Sequence, residues 1–123
     1  YAGEQWLAVR VELESRYGGD VVAKDDAKNI YEDKELRAQV HNLLGTLEHI
    51  AAGVNAKIYD EDILYRMVAS SVIDNFNRFK HYIKLRRQNE SNEDIYLELE
   101  SLAIRFMDRQ RKVPSNSGDV VLS

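Results

Sequence analysis

Apolar residues recur at steps of three and four along most of this chain, which is the period of an amphipathic helix. The two longest patterns run through residues 33–54 and 60–88. Their apolar stripes comprise Leu36, Val40, Leu43, Leu44, Leu47, Ile50, Ala51 and Val54 in the first, and Leu64, Met67, Val68, Val72, Phe76, Phe79 and Ile83 in the second. The turn between them is short, so the two segments are predicted to form an antiparallel helical hairpin.

Two further helices are predicted on either side of this hairpin. Residues 3–17 carry Trp6, Val9, Leu13 and Tyr17 on one face and end at a pair of glycines. A last helix is predicted to begin at residues 91–92 and to stop at Pro114, because proline interrupts helical hydrogen bonding. Residues 20–32 carry only a weak pattern, which suggests a short helix around residues 25–31.

These elements predict the fold class and the domain organisation. The chain is expected to be all-α, with a four-helix antiparallel bundle-like domain over residues 1–113. Residues 114–123 are small and polar, and we expect a disordered C-terminal tail there. Asp33 and Asp60 precede the two central helices and are predicted to cap them, since a carboxylate accepts from the free backbone N–H groups of the first turn.

Composition narrows the class of protein. A chain of 123 residues with 44% hydrophobic and 31% charged residues is a single folded domain by ordinary priors. The chain contains no cysteine, which excludes disulfides and thiolate chemistry. No apolar run approaches the roughly 20 residues of a membrane span. Because the sequence begins with Tyr1 rather than methionine, a membrane anchor ahead of it stays an open alternative.

A set of residues between Leu43 and Ala103 resembles a known family. They are Leu43-Leu44, Leu47-Glu48-His49-Ile50-Ala51, Gly53, Ile58-Tyr59-Asp60-Glu61-Asp62-Ile63-Leu64, Phe76-Asn77-Arg78-Phe79, Ile83, Arg86-Arg87 and Leu99-Glu100-Ser101-Leu102-Ala103. This pattern is similar to that of small all-helical bacterial and phage domains of unknown function. The resemblance covers about half of the chain. It implies an all-helical fold, a bacterial or phage source and, in many members, an N-terminal anchor ahead of a cytoplasmic domain. It carries over no catalytic residue.

Two carboxylates border the apolar stripes and raise the question of catalysis. Glu48 and Glu100 would serve as general acid and base if they shared an open cleft. The alternative is a set of structural ion pairs, and its candidate members are Glu48, Glu100, Arg66, Arg78 and Arg86. Nothing nucleophilic or cofactor-like accompanies the carboxylates, so no catalytic residue and no cofactor are predicted. The three histidines lack the spacing of a metal motif, and no metal site is predicted.

Basic residues concentrate near the end of the second long pattern. The candidate basic surface comprises Arg78, Lys80, Lys84, Arg86 and Arg87. Such residues would bind nucleic acid or acidic lipid if they formed one continuous stripe. Lysine and arginine are also expected at a helix C-terminus, where they complement the helix dipole. With a net charge of −4, the chain does not favour general polyanion binding.

The first predicted helix is apolar on more than one side, and this feature carries the functional prediction. Leu7 and Val11 lie opposite the stripe that contains Trp6 and Tyr17. A helix of this kind is either buried or used for association. The candidate interface is therefore Trp6, Leu7, Val11 and Tyr17, and the tyrosine hydroxyls in general are expected to reach water at the edges of the core.

The sequence predicts a non-enzymatic helical domain for protein–protein interaction or oligomerisation, whose partner is a second copy or another protein. Two alternatives stay open. One is the cytoplasmic domain of a membrane-anchored bacterial protein, in which contact with the membrane depends on an anchor before Tyr1. The other is a nucleic-acid-associated phage or defence protein. The expected location is the cytoplasm, or the cytoplasmic face of the membrane if an anchor exists.

Overall fold

The computed structural model describes the backbone of residues 21–120 and the side chains of residues 21–112. This part of the chain forms five helices and no strand, which confirms the all-α class. The helices are α1 (Lys24–Glu32), α2 (Lys34–Asn55), α3 (Glu61–Arg78), α4 (Lys80–Asn89) and α5 (Leu97–Val120). The predicted helix over residues 3–17, with the interface candidates Trp6, Leu7, Val11 and Tyr17, lies outside the described residues.

Both central helices begin at the predicted caps. The Asp33 carboxylate accepts from the Leu36 backbone N–H at 3.0 Å, and the Asp60 carboxylate accepts from that of Ile63 at 3.0 Å. These bonds satisfy donors that have no partner within the helix. The weak pattern before Asp33 also corresponds to a helix, α1, whose Ala27 and Ile30 are buried.

The predicted third helix is wrong in one respect, because it is two helices rather than one. The break falls at Phe79, whose φ of −104° and ψ of 17° separate α3 from α4. The carbonyl of Arg78 accepts from the Val22 backbone N–H at 3.0 Å. In a continuous helix that carbonyl would accept from Tyr82 instead. A segment far away in the sequence therefore uses the bond that would have continued the helix.

The last helix also differs from its prediction at both ends. It begins at Leu97 rather than near residue 92, after Ser91 and Tyr96 adopt positive φ values of 51° and 59°. Its backbone continues past Pro114 to Val120. Proline removes one donor and disturbs the preceding turn at a cost of about 3 kcal/mol, but it does not forbid helical φ values. The predicted stop at Pro114 is therefore wrong, and residues 121–123 of the predicted tail lie outside the described residues.

One hydrophobic core joins the five helices. It contains Leu36, Val40, Leu44, Ala51, Val72, Phe79, Tyr82, Leu99, Leu102 and Phe106 among others. Helix α5 packs against α2 and α3, whereas α1 packs against α2 and α4. The four-helix count is thus corrected to five described helices, and these contacts do not establish the predicted antiparallel bundle. Across residues 21–120, no helix is both long and apolar enough to cross a membrane.

Candidate functional site

The carboxylate of Glu48 caps a helix other than its own. Its two oxygens accept from the backbone N–H groups of Leu99 at 2.7 Å and Glu98 at 3.2 Å, in the first turn of α5. The neighbouring N–H groups of Leu97 and Glu100 donate to the carbonyls of Asp94 and Tyr96. All four initial donors of α5 are therefore satisfied, and a negative charge lies at the positive end of its dipole.

A second group of polar side chains continues from this cap toward α3. The Asn55 amide donates to Glu98 Oε1 at 2.7 Å and accepts from Arg105 Nη2 at 2.6 Å. The same guanidinium pairs with Glu61 at 2.9 Å. The chain of contacts connects α2, α3 and α5 near the turn between α2 and α3. Each of these groups is bonded to another, so the arrangement fixes the positions of the three helices relative to one another.

Arg86 connects α4 to the segment before α5. Its Nε donates to Glu90 Oε2 at 2.8 Å and its Nη1 donates to the Tyr96 hydroxyl at 2.6 Å. The guanidinium carbon also lies 5.3 Å from the centre of the Tyr96 ring. Tyr96 is buried and has a positive φ, a conformation that costs a non-glycine residue about 1–2 kcal/mol. The contacts of Arg86 help to hold it there, and Arg86 holds the pKa of Glu90 below its usual range.

His41 of α2 and the buried Tyr82 of α4 form a contact between two titratable side chains. The Tyr82 hydroxyl and His41 Nε2 are 2.5 Å apart. Burial raises the pKa of Tyr82, so its hydroxyl stays protonated beside the imidazole. Burial and the nearby positive charges of Arg86 and Arg37 lower the pKa of His41 to about 4, although Glu90 opposes them. The pair therefore favours an uncharged histidine.

This arrangement predicts that the protein loses stability in mild acid. The pKa of His41 lies below its ordinary value of 6.5, so the unfolded chain binds a proton that the folded one rejects as the pH falls from 6.5 to about 4. Because His41 is only half-buried, we expect a loss of about 1 kcal/mol after solvent screening. The free energy of unfolding in urea, compared at about pH 7 and about pH 5, measures this loss of stability.

The control for this prediction is the same substitution at a second histidine, His81. His41→Gln should reduce the difference between the two pH values, whereas His81→Gln, at the surface groove described below, should preserve it. Equal pH dependence in the His41→Gln and unmodified proteins would contradict the assignment.

The structure places the predicted ion-pair residues in separate contacts. Glu100 pairs with Arg87 at 2.8 Å, and Arg66 lies 3.9 Å from Asp62 on an exposed surface. Arg78 is buried, with 5% of its surface exposed. Glu48 binds backbone amides rather than an arginine. The two carboxylates considered for catalysis are each engaged by a different donor, so this geometry does not favour an acid–base pair.

The basic residues do not form one continuous exposed surface. Lys80 and Lys84 are exposed, whereas Arg86 and Arg87 are bonded to carboxylates. Two shallow grooves flank Lys84. The first, which we name the Lys24 groove, has a volume of about 210 Å³ and is lined by Lys24, His81, Lys84, Leu85 and Gln88. The second has a volume of about 320 Å³ and is lined by Phe76, Lys80, Ile83, Lys84, Arg87, Gln88, Glu93 and Glu100.

Exposed apolar side chains follow one side of α3 and the turn before it. We name this surface the α3 ridge and define it by Tyr59, Ile63 and Met67, which expose 49%, 46% and 72% of their surfaces. Residues four apart in a helix are neighbours, so Ile63 and Met67 are contiguous. The Tyr59 ring lies over Gly53, where an added Cβ would be 2.4 Å from it. One end of the ridge is therefore packed against α2.

Sequence reasoning missed the roles of Tyr82 and Tyr96. Their hydroxyls bind His41 and Arg86 in the interior instead of reaching water. The spacing of Tyr82, Arg86 and Glu90, each four residues from the next, is the one signal that could have indicated the cluster. Among residues 21–120, no group of three or more histidine, aspartate or glutamate side chains is placed to hold a metal ion.

The described chain is thus an all-α domain in which Glu48, Asn55, Arg86 and His41 bind neighbouring polar groups, and whose surface carries an apolar ridge. The model of the family described as Domain of unknown function (DUF4760) matches residues 8–106, and the chain belongs to that family. Comparisons with curated proteins and with solved structures find no significant match.

Proposed function

We propose that the protein is a non-enzymatic interaction domain that forms a homodimer through the α3 ridge. The observation that carries the proposal is the exposure of three large side chains spaced four residues apart, of which Met67 exposes 72% of its surface. Contiguous apolar surface on a water-soluble domain is typical of a contact with another molecule. Tyrosine and methionine are both enriched in protein interfaces.

The geometry of the ridge supports a second copy as the partner. In a two-fold contact both copies use the same surface. A residue of one copy that contacts a second residue of the partner is therefore matched by the reverse contact. If two α3 helices run antiparallel across the ridge, Ile63 of each copy faces Met67 of the other. The same register brings the exposed Asp74 of each copy toward Lys57 of the other, at the ends of the ridge. The apolar contact and the charges are therefore complementary in one arrangement.

The interior polar groups support a structural rather than a catalytic role. Glu48 has both oxygens on backbone amides, and His41 is bonded to Tyr82. Arg86 is divided between Glu90 and Tyr96. Groups that satisfy one another in this way fix the fold. A catalytic base or nucleophile would need a free position within hydrogen-bonding distance of a substrate.

The ridge is tested by Met67→Lys and Ile63→Lys. Both side chains are exposed, so we expect each variant to be monomeric by light scattering while its free energy of unfolding stays within about 0.5 kcal/mol of the unmodified chain's value when both are measured as monomers. The matched control is Ile104→Lys, because Ile104 on α5 has the same 46% exposure as Ile63 but lies off the ridge. The control should dimerise normally.

A charge exchange tests the register. Lys57→Glu should weaken the dimer because it places two carboxylates together, and adding Asp74→Lys should restore it. Dimers that persist in both ridge variants would show that another surface makes the contact. If Ile104→Lys also prevented dimerisation, the result would contradict the assignment of the contact to the α3 ridge.

Binding of nucleic acid is less well supported by the arrangement of charges. Of the five candidate basic residues, Arg78 is buried and both Arg86 and Arg87 bind carboxylates. Only Lys80 and Lys84 of that set are exposed, which is few for a phosphate-tracking surface.

The sequence resemblance supports two further parts of the proposal, which are a bacterial or phage source and a cytoplasmic location. We propose that the domain acts in the cytoplasm or at the cytoplasmic face of a membrane. The gene sequence upstream of Tyr1 decides between the two, because an anchor would have to be encoded there.

A further inference from the structure

The two methionines of the chain lie in different surroundings. Met67, on the α3 ridge, exposes 72% of its surface. Met107 of α5 is half-buried against the core, and the Asn77 side-chain amide donates to its sulfur at 3.9 Å. A small molecule dissolved in water therefore reaches the side chain of Met67 more readily than that of Met107.

The composition makes the exposed thioether the preferred site of mild oxidation. Cysteine and methionine carry the side chains that peroxides oxidise reversibly, and this chain contains no cysteine. No thiol competes for the oxidant, and no disulfide can form in response to it. Of the two thioethers that remain, Met67 is the more exposed one, so oxidation is directed to the centre of the α3 ridge.

The reaction needs only a hydroperoxide as the co-reactant. A lone pair of the Met67 sulfur attacks one peroxide oxygen, and the O–O bond breaks. The sulfur loses two electrons and keeps this oxygen as a sulfoxide. The other oxygen takes up the transferred proton and leaves as water when hydrogen peroxide is the oxidant. The product is polar and chiral, and methionine sulfoxide reductases return it to the thioether.

A sulfoxide at this position is incompatible with the contact that the ridge makes in the dimer. In the antiparallel register, Met67 of each copy faces Ile63 of the other. The Ile63 side chain has no hydrogen-bond donor, so the sulfoxide oxygen would be buried there without a partner. In the separate chain the same oxygen faces water, because Met67 is exposed. The modification therefore acts on dimerisation and leaves the fold of each chain intact.

We propose that Met67 is a redox modification site, at which a peroxide converts the dimer to monomers and a sulfoxide reductase restores it. This inference rests on the proposed dimer through the α3 ridge. Oxidation takes place in the monomer, in which Met67 is exposed, so the reaction slows as the protein concentration rises. Each dimer contains two copies of Met67. We expect its dissociation constant to rise by about 100-fold, since a buried unpaired acceptor costs about tenfold at each copy.

The test uses hydrogen peroxide on the full chain, followed by light scattering over a range of concentrations. Intact mass and peptide mapping should show one added oxygen atom, located at Met67. The oxidised chain should be monomeric where the untreated chain is dimeric, and treatment with methionine sulfoxide reductases should recover the dimer. Its free energy of unfolding should match that of the untreated chain when both are measured as monomers, which separates dissociation from unfolding.

Two leucine variants are the matched controls, because leucine has nearly the volume of methionine and no sulfur. Met67→Leu should stay dimeric in peroxide, whereas Met107→Leu should dissociate as the unmodified chain does. A chain oxidised at Met67 that dimerises with an unchanged dissociation constant would overturn the inference and leave the ridge dimer standing. Dissociation of Met67→Leu by peroxide would also overturn it. A monomeric untreated chain would instead contradict the ridge dimer itself, and this inference with it.

Discussion

Replacement of Glu48 by alanine is expected to lower the free energy of unfolding by about 2–3 kcal/mol. The variant loses two hydrogen bonds from a carboxylate to the first turn of α5, at 2.7 and 3.2 Å. It also leaves the backbone N–H groups of Glu98 and Leu99 without that partner. The interaction between the negative charge and the helix dipole is removed at the same time. Urea unfolding at neutral pH measures the loss.

Two further variants distinguish loss of the helix cap from the effect of shortening a glutamate side chain that caps no helix. Glu48→Gln keeps one acceptor oxygen and loses the charge, so we expect an intermediate loss of about 1 kcal/mol. Glu32→Ala removes an exposed glutamate from α1 and should change stability by no more than about 0.5 kcal/mol. A Glu48→Ala variant as stable as Glu32→Ala would contradict the capping role.

Replacement of Arg86 by leucine is expected to cost about 2 kcal/mol of stability. It leaves the buried Tyr96 hydroxyl without its 2.6 Å donor and removes the ion-pair partner of Glu90. The positive φ of Tyr96 would then lose a contact that holds its ring in place. Arg86→Lys should rescue only part of the loss, because one ammonium group does not reproduce the two-directional contact of the guanidinium.

The comparison for Arg86 is Lys84→Leu on the same helix. Lys84 is exposed, and its replacement should change stability by about 0.5 kcal/mol or less. A double-mutant cycle between Arg86→Leu and Tyr96→Phe isolates the shared hydrogen bond. Strictly additive losses would show that the two residues do not stabilise the fold through one another.

The local features of the fold were predictable from the sequence. Helical periodicity identified α2, and the caps at Asp33 and Asp60 were predicted at the residues that make them. Each of these features depends on residues within a few positions of one another. Helix propensity and capping act at that range, so no knowledge of the tertiary structure was needed.

Two of the corrections coincide with contacts between distant segments. The break at Phe79 coincides with a hydrogen bond from Val22, 56 residues before Arg78, to the carbonyl of Arg78. The late start of α5 coincides with the burial of Tyr96 and with the cap from Glu48, 50 residues before Glu98. The apolar periodicity continues through a helix break of this kind, so the sequence pattern does not reveal the break. Lys57, in the turn between α2 and α3, also adopts a positive φ of 64°.

The candidate site was less predictable than the fold. The sequence identified Glu48 as a residue that borders an apolar stripe and Arg86 as a candidate ion-pair residue, but it did not indicate the groups that they bind. The α3 ridge was not distinguished either, because Met67 fits the helical stripe as well as the buried Val72 does. Which apolar residues face the core depends on where neighbouring helices lie, and that information is not local.

The most direct test of the interaction proposal is the molar mass of the unmodified full chain by light scattering over a range of concentrations, at low and moderate salt. We expect a mass that rises with concentration toward twice the 14.2 kDa of one chain. A mass of one chain at every concentration and at both salt levels would contradict dimerisation through the α3 ridge.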